Sequence, residues 1–240
     1  MTAMTEFKYA GSELDLFREV RNWKSYWSRQ IRPFIAGDVL EVGAGIGANT
    51  LYLDSRGSGK WVCLEPDPGL IARLSRSLNF GSSPQREIVC GTIENVGTRL
   101  FDTIVYIDVL EHIKDDRAEL NAAAGHLRPG GRIIVLAPAH QCLFTPFDVA
   151  IGHFRRYDRP TLQKISPAGL DLLRIRYLDC VGLTASFANL ALLRQSMPTA
   201  AQLQFWDKFF VPLSTILDPL LQYSVGKSLL AVWSKRGAND

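Results

Sequence analysis

The stretch VLEVGAGIGANT, residues 39–50, places Gly43, Gly45 and Gly47 at alternate positions behind four residues that favour a strand. Glycines at that spacing let backbone approach a ligand with no Cβ in the way, and a helix that follows points its N-terminal amides at it. Two carboxylates flank the turn: Glu41 lies just before it, and Glu65 stands at the end of a second apolar run. Gly43, Gly45 and Ala48 formally satisfy the dinucleotide fingerprint G-x-G-x-x-G/A. A carboxylate just ahead of the loop faces a pyrophosphate unfavourably, however, and suits a ligand that carries an ammonium group and a sulfonium. Further along stand Asp108 and His112, then His140, His153 and the adjacent pair Arg155 and Arg156. The four cysteines form no C-x-x-C pair and no histidine sits at metal-ligand spacing, so no metal is expected. Cys63 and Cys90, both within apolar runs, are expected to be buried reduced thiols.

Positioning these groups requires a scaffold, and its rhythm is visible. DVLEV (38–42), KWVCLE (60–65), REIVC (86–90), FDTIVYID (101–108) and RIIVLAP (132–138) are short and largely apolar without strict alternation, as strands buried on both faces should be. Helical patterns separate them: GANTLYLDS, PGLIARLSRSL and DDRAELNAAAGHL, with RPGGR (128–132) closing the last helix and turning into a strand. After residue 138 the rhythm changes. A strand in SPAGLDLLRIRYLD and another in GKSLLAVWSK frame an interval rich in leucine and aromatic residues, which predicts a strand pair with a helical insertion. The expected architecture is an α/β Rossmann-like, doubly wound, seven-stranded mixed sheet in one domain. It divides into a helical lid over 1–36, a cofactor-binding core over 37–180, the insertion over 181–227, and a last strand and tail over 228–240.

Taken in order, four segments resemble the class I S-adenosylmethionine-dependent methyltransferases: VLEVGAGIGANT, CLEPDP (63–68), FDTIVYIDVLEHIKD (101–115) and LRPGGRIIVLAP (127–138). The resemblance covers roughly residues 20–180. It implies S-adenosylmethionine as cofactor and S-adenosylhomocysteine as product. It places cofactor contacts at Glu41, Gly43, Ala44, Gly45, Gly47, Asn49, Thr50, Glu65, Pro66, Thr92, Ile93, Asp108, Val109 and His112. Within that set Glu41 would hold the amino-acid end and Glu65 both ribose hydroxyls. Where many relatives carry an aspartate after the third strand, this chain has GTIENV (91–96), so the adenine falls to the Thr92 hydroxyl, to backbone of Ile93, or to Glu94.

The acceptor wall should come from segments beyond the fourth and fifth strands. AHQCLFTPFDVAIGHFRRYDRPTL (139–162) is too long for an ordinary connection, and its FD…GHFRRY pattern resembles a subset of these enzymes that keep such a loop at the active-site mouth. His153 is the first candidate for a general base or acceptor-orienting group and His140 the second, with Phe147, Arg156 and Tyr157 beside them. A salt-bridged anchor made of Arg155, Arg156 and Asp158 is the competing reading. Near the N-terminus Val20, Trp23, Trp27 and Ile31 form one helical stripe, expected to pack in the core, with Trp27 also near the acceptor; Tyr26 lies off the stripe and is a candidate lid over the cofactor.

Charge is nearly balanced, 27 basic against 24 acidic residues, with no basic run for nucleic acid. No secretory signal or membrane span is visible, which predicts a cytoplasmic protein. The apolar insertion suggests a lipophilic substrate pocket, a homodimer contact or a peripheral membrane contact. The expected activity is methyl transfer to a small, rather apolar acceptor, most simply at oxygen; N- or C-methylation of a natural-product or lipid intermediate is the alternative. A NAD-dependent oxidoreductase would need a Tyr-x-x-x-Lys pair that is not visible, and a non-catalytic cofactor-binding module is the remaining rival.

Overall fold

The computed structural model describes residues 9, 11, 14–54, 59–78, 86–188 and 199–237. Seven strands, Val39–Val42 (β1), Trp61–Glu65 (β2), Arg86–Cys90 (β3), Phe101–Ile107 (β4), Leu127–Pro138 (β5), Leu170–Leu178 (β6) and Ser228–Lys235 (β7), form one sheet in the order β3-β2-β1-β4-β5-β7-β6. The first five are parallel, and β7 runs antiparallel between β5 and β6. The chain leaves β1 toward β2 on one side and returns to β4 on the other. The loops after β1 and β4 therefore open side by side at the carboxyl edge, the place where such sheets bind ligands.

Strand residues alternate between two buried layers, which is why the sequence shows apolar runs rather than alternation. Leu40, Val42, Ile104, Tyr106, Ile133 and Val135 pack on one side, with Leu120 and Ala123 of the helix Asp116–Gly125. Val39, Trp61, Cys63, Val105 and Ile134 face the other, with Trp23, Trp27 and Ile31 of the helix Asn22–Ile31 and Leu74 of the helix Pro68–Ser77. The latter helix starts where Asp67 accepts from the Gly69 and Leu70 amides, with Pro68 in the first turn.

Three expectations need correction. The helix after the glycine loop is only Thr50–Leu53. RPGG does not end before the strand but lies within β5, as a register break that pairs Phe101 with Leu127 and Thr103 with Arg132. Cys90, at the end of edge strand β3, is exposed, whereas Cys63 is buried; both are free thiols.

Residues 199–227 of the insertion pack as part of the body; residues 189–198 lie outside the described set. Helix Ala200–Phe205 continues through a π-helical turn, Trp206–Phe210, into Val211–Leu220. Buried carboxylates join this rod to the rest. The Asp218 carboxylate accepts from the Tyr26 hydroxyl (2.6 Å) and from the amides of Asp179 (2.6 Å) and Cys180 (2.9 Å). Asp179 accepts from Trp206 Nε1, the Ser214 hydroxyl and the Gly182 amide. Asp207 accepts from the amides of Arg21, Asn22 and Trp23, satisfying donors at the start of the helix Asn22–Ile31 that its own turns leave free. Tyr26 is thus buried as a structural donor and is not the lid expected from its position off the stripe.

Replacing Asp218 with Ala would leave one hydroxyl and two amides buried without acceptors. The expected loss is at least about 3 kcal/mol, or roughly 6–12 °C in Tm for a domain of this size. Calorimetric melting checks it, and an unchanged Tm would show that the insertion is held by apolar packing alone.

Candidate functional site

The loops at the carboxyl edge, together with the helix Asn22–Ile31 and the insertion, enclose a cavity of about 1190 Å³. That exceeds the roughly 300–1,000 Å³ usual for one small ligand and leaves room for two molecules side by side. One part is floored by Gly43, Ala44 and Gly45, with Asn49, Glu65, Pro66, Thr92, Ile93 and Val109 around them. Gly43 and Gly45 are both left-handed (φ +67° and +56°). A side chain at Gly43 would strike Val109, whereas nothing lies within 4 Å of where a Cβ on Gly45 would stand. The open backbone at Gly45 is therefore bare surface available to a ligand.

Glu65 stabilises this loop. Its Oε2 accepts from the Gly45 amide (2.8 Å) and its Oε1 from the Asp67 amide (2.9 Å). Burial raises its pKa, while those two amides pull it back down. A carboxylate offers about four acceptor sites, so capacity remains for hydroxyls presented from the cavity. Thr92 and Ile93 also line it, but the Thr92 amide and hydroxyl are engaged with Asn95 Oδ1.

Five expected site residues stand elsewhere. Glu41 does not line the cavity: the alternation along β1 turns it into the layer opposite Leu40 and Val42, where its Oε2 accepts from Trp61 Nε1 (2.8 Å). Burial raises its pKa to about 7, against the hydrogen bond from Trp61. Thr50 is buried beside it. His140 has left-handed backbone (φ +65°), stacks on Tyr177 and contacts the Gly226 carbonyl, so it is a loop anchor. Tyr157 is buried, donating to Asp116 and tied to the Leu110 carbonyl. Gly47 does not line the cavity either; a side chain there would strike Leu74 of the neighbouring helix, so it serves close packing.

Beyond β4 the cavity has a polar end. Asp108, Glu111, His112, His153, Arg156 and Lys227 all line it, while Trp23, Trp27, Leu143, Phe147, Ile151 and Phe210 cover its apolar walls. Asp108 is left-handed (φ +54°) at the strand end and exposed to the space of the cavity, among the walls that line it. Burial raises its pKa to about 6, opposed by His153, Lys227 and Lys24. Burial also lowers His112 to about 4, so its ring is neutral near pH 7. The His112 and His153 rings meet edge to face, 4.5 Å between centroids. Asp148 accepts from His153 Nδ1 (2.9 Å) and, through both oxygens, from Arg156 Nε and Nη2 (2.8 and 2.9 Å). Burial would raise the Asp148 pKa, but these two donors win and hold it well below the usual carboxylate range. With Asp148 ionised, His153 Nδ1 is the donor of their hydrogen bond, which leaves Nε2 as the nitrogen facing the cavity. Arg156 is therefore both an anchor and a cavity residue, whereas Arg155 pairs with Asp116 and is anchor alone.

Glu111, Asp148 and Lys227 were not foreseen as site residues. Glu111 was visible only as the middle of LEH and Asp148 only as the acid of FD…GHFRRY, while Lys227 carries no signal until the end of the insertion folds over the cavity.

Residues 40–135 match the family model described as "Methyltransferase domain". The chain is 29% identical over 138 residues to a tRNA U34 carboxymethyltransferase of Geobacter sp. (strain M21), covering 54% of this chain and 41% of that protein. It is 28% identical over 98 residues to phosphoethanolamine N-methyltransferase 1 of Arabidopsis thaliana, covering 40% and 20% respectively. The chain thus spans less than half the length of these curated relatives. Among solved structures it is similar to the N-methyltransferase NodS from Bradyrhizobium japonicum WM9 in complex with S-adenosyl-L-homocysteine (TM-score 0.60, 16% identity, 94% of this chain and 93% of that one). A [4+2]-cyclase, SpnF, shares the fold at TM-score 0.60 and 14% identity, covering 90% of this chain and 82% of that one. Residues 40–135 thus carry a methyltransferase-domain match, and the chain shares its fold with solved methyltransferases.

Two outcomes are expected here. Glu65→Ala should weaken S-adenosylmethionine binding by about 1–3 kcal/mol, the cost of leaving buried donors unpaired; unchanged affinity by calorimetry would remove Glu65 from the cofactor. Glu41 predicts a pH effect. With its folded pKa raised to about 7 from 4.5, the native state keeps a proton that the unfolded chain loses, so its contribution to stability declines as pH rises from 4.5 to 7. Glu41→Gln should therefore stabilise the protein above pH 7, by at most about 3 kcal/mol, and have little effect near pH 4. Melting curves across that range decide it.

Proposed function

We propose that this chain transfers a methyl group from S-adenosylmethionine to a hydroxyl or carboxylate oxygen of a small, largely apolar acceptor. The observation that carries the reading is the division of one cavity into three parts: a bare glycine floor with Glu65, an apolar wall, and a polar end with the cavity-facing Nε2 of His153. Curated relatives act on substrates as different as tRNA and phosphoethanolamine by their names, so it is the lining that supports this acceptor class. Phe205, exposed and also part of the lining, begins an apolar stripe through Phe209, Leu213, Ile216 and Leu220. The stripe favours an acceptor that partitions out of water, and it suits a peripheral contact with a lipid surface better than contact with nucleic acid.

S-adenosylmethionine, when bound, supplies a methyl group made electrophilic by the sulfonium. The glycine floor admits it, with Gly43, Ala44, Gly45, Asn49, Pro66 and Val109 along it, Glu65 toward the ribose, Thr92 and Ile93 toward the adenine, and Asp108 and His112 along the edge facing the acceptor. What remains for the protein is to align the acceptor, exclude water and remove one proton. Trp27 and Phe147 supply apolar wall. Arg156, fixed by Asp148, holds that carboxylate ionised, and the carboxylate in turn fixes the His153 tautomer. His153 Nε2 is thereby presented to an acceptor hydroxyl as proton acceptor or as orienting group.

His153→Ala should lower turnover at least about 10²-fold while S-adenosylmethionine affinity changes little. Steady-state rates with a labelled methyl donor, over acceptors grouped as phenols, carboxylates, amines and lipids, test both halves. Wild-type turnover would take His153 out of the reaction, and preference for amines would move the transfer from oxygen to nitrogen.

A further inference from the structure

The polar end of the cavity contains a carboxylate that the reading above leaves unused. Glu111 is fully buried, lines the cavity, and neither of its side-chain oxygens has a hydrogen-bond partner. A fully buried carboxyl with neither oxygen hydrogen-bonded is unusual, and such groups are normally paired or bound to a metal. Its neighbours are metal ligands by type. Glu111, His112 and His153 each offer a donor atom, all within 4.8 Å of one another, and His153 Nε2 lies 3.8 Å from Glu111 Oε1. The arrangement behind His153 is the one metal-bound imidazoles use: the far nitrogen donates to a carboxylate, Asp148, which fixes the tautomer and aims the near nitrogen's lone pair. Arg156 then fixes Asp148.

We propose that Glu111, His112 and His153 bind a divalent first-row transition metal ion of the zinc, cobalt, manganese or iron(II) class. Two imidazoles and one carboxylate on one side leave further coordination positions facing the cavity. The neighbouring Asp108 opens onto the same space. An oxygen of the acceptor fits such an open position, where the ion would both orient it and favour its ionised form. This last point rests on the O-methylation reading; the ion site itself does not. His153 Nε2 would then act as ligand, and the orienting role assigned to it above would pass to the ion.

The test uses the untagged full chain, stripped with a chelator and titrated with Co²⁺, followed by visible absorption and calorimetry, and by the rise in Tm. One equivalent should bind saturably and raise Tm. Glu111→Gln, which preserves shape, and His153→Asn should each weaken binding at least about tenfold, with melting of the apo proteins showing that both variants fold. Absence of saturable uptake, or undiminished uptake in both folded variants, would overturn the site. Metal binding without methylation of any acceptor would refute the O-methyl reading and leave the site standing. Conversely, full turnover after chelation together with no Co²⁺ uptake would refute the site and leave methyl transfer standing.

Discussion

A sheet buried on both faces has no room for polar chemistry along its length, so every group that acts on a ligand must stand beyond the ends of the strands. Here that constraint is tightened by the order of the strands. Because β1 lies between β2 and β4, the glycine loop, Glu65 and Asp108 converge from three adjacent strand ends. Glu65 then reaches back to the Gly45 amide, so a side chain from the neighbouring strand fixes the loop alongside its own Ala44–Gly47 turn. Bare backbone is useful to a ligand only if it holds still, and this one bond joins the two requirements.

The opposite wall is held by a different device. Asp179, Asp207 and Asp218 are buried and each accepts two or more hydrogen bonds, from the N-terminal helix, the insertion, or both. Buried carboxylates without donors would be a severe cost; with these donors they fix where the insertion sits. The insertion can therefore present Trp206 and Phe210 to the cavity while leaving Phe209 and Ile216 on the surface. The same economy appears around Asp148, which is held ionised by His153 and Arg156 and so determines which nitrogen of His153 faces the ligand.

Much of the fold was legible because its signals are local. Most strand segments are apolar runs bounded by glycine, proline and charge, and the glycine turn needs only its own residues to be recognised. The nearness of Glu65 to the glycine turn was legible for a similar reason, since it stands at the end of a strand that must adjoin the first. The failures share a cause. Glu41 was assigned to the ligand although side-chain alternation turns it to the Trp61 layer, and Tyr26, His140 and Tyr157 were assigned by residue type although each found a buried partner far along the chain, at Asp218, Gly226 and Asp116.

By itself, the sequence determined the parallel core, the last strand pair framing a helical insertion and the bare glycine turn, since period, turn residues and strand length act over a few residues. Only the tertiary structure decided which polar groups face the cavity. That choice depends on long-range donors and acceptors: Asp148 for His153, Asp218 for Tyr26, and none at all for Glu111. Glu111 and His153 stand 42 positions apart in the chain, and only the packing of the loop after β5 against the end of β4 sets them 3.8 Å from one another.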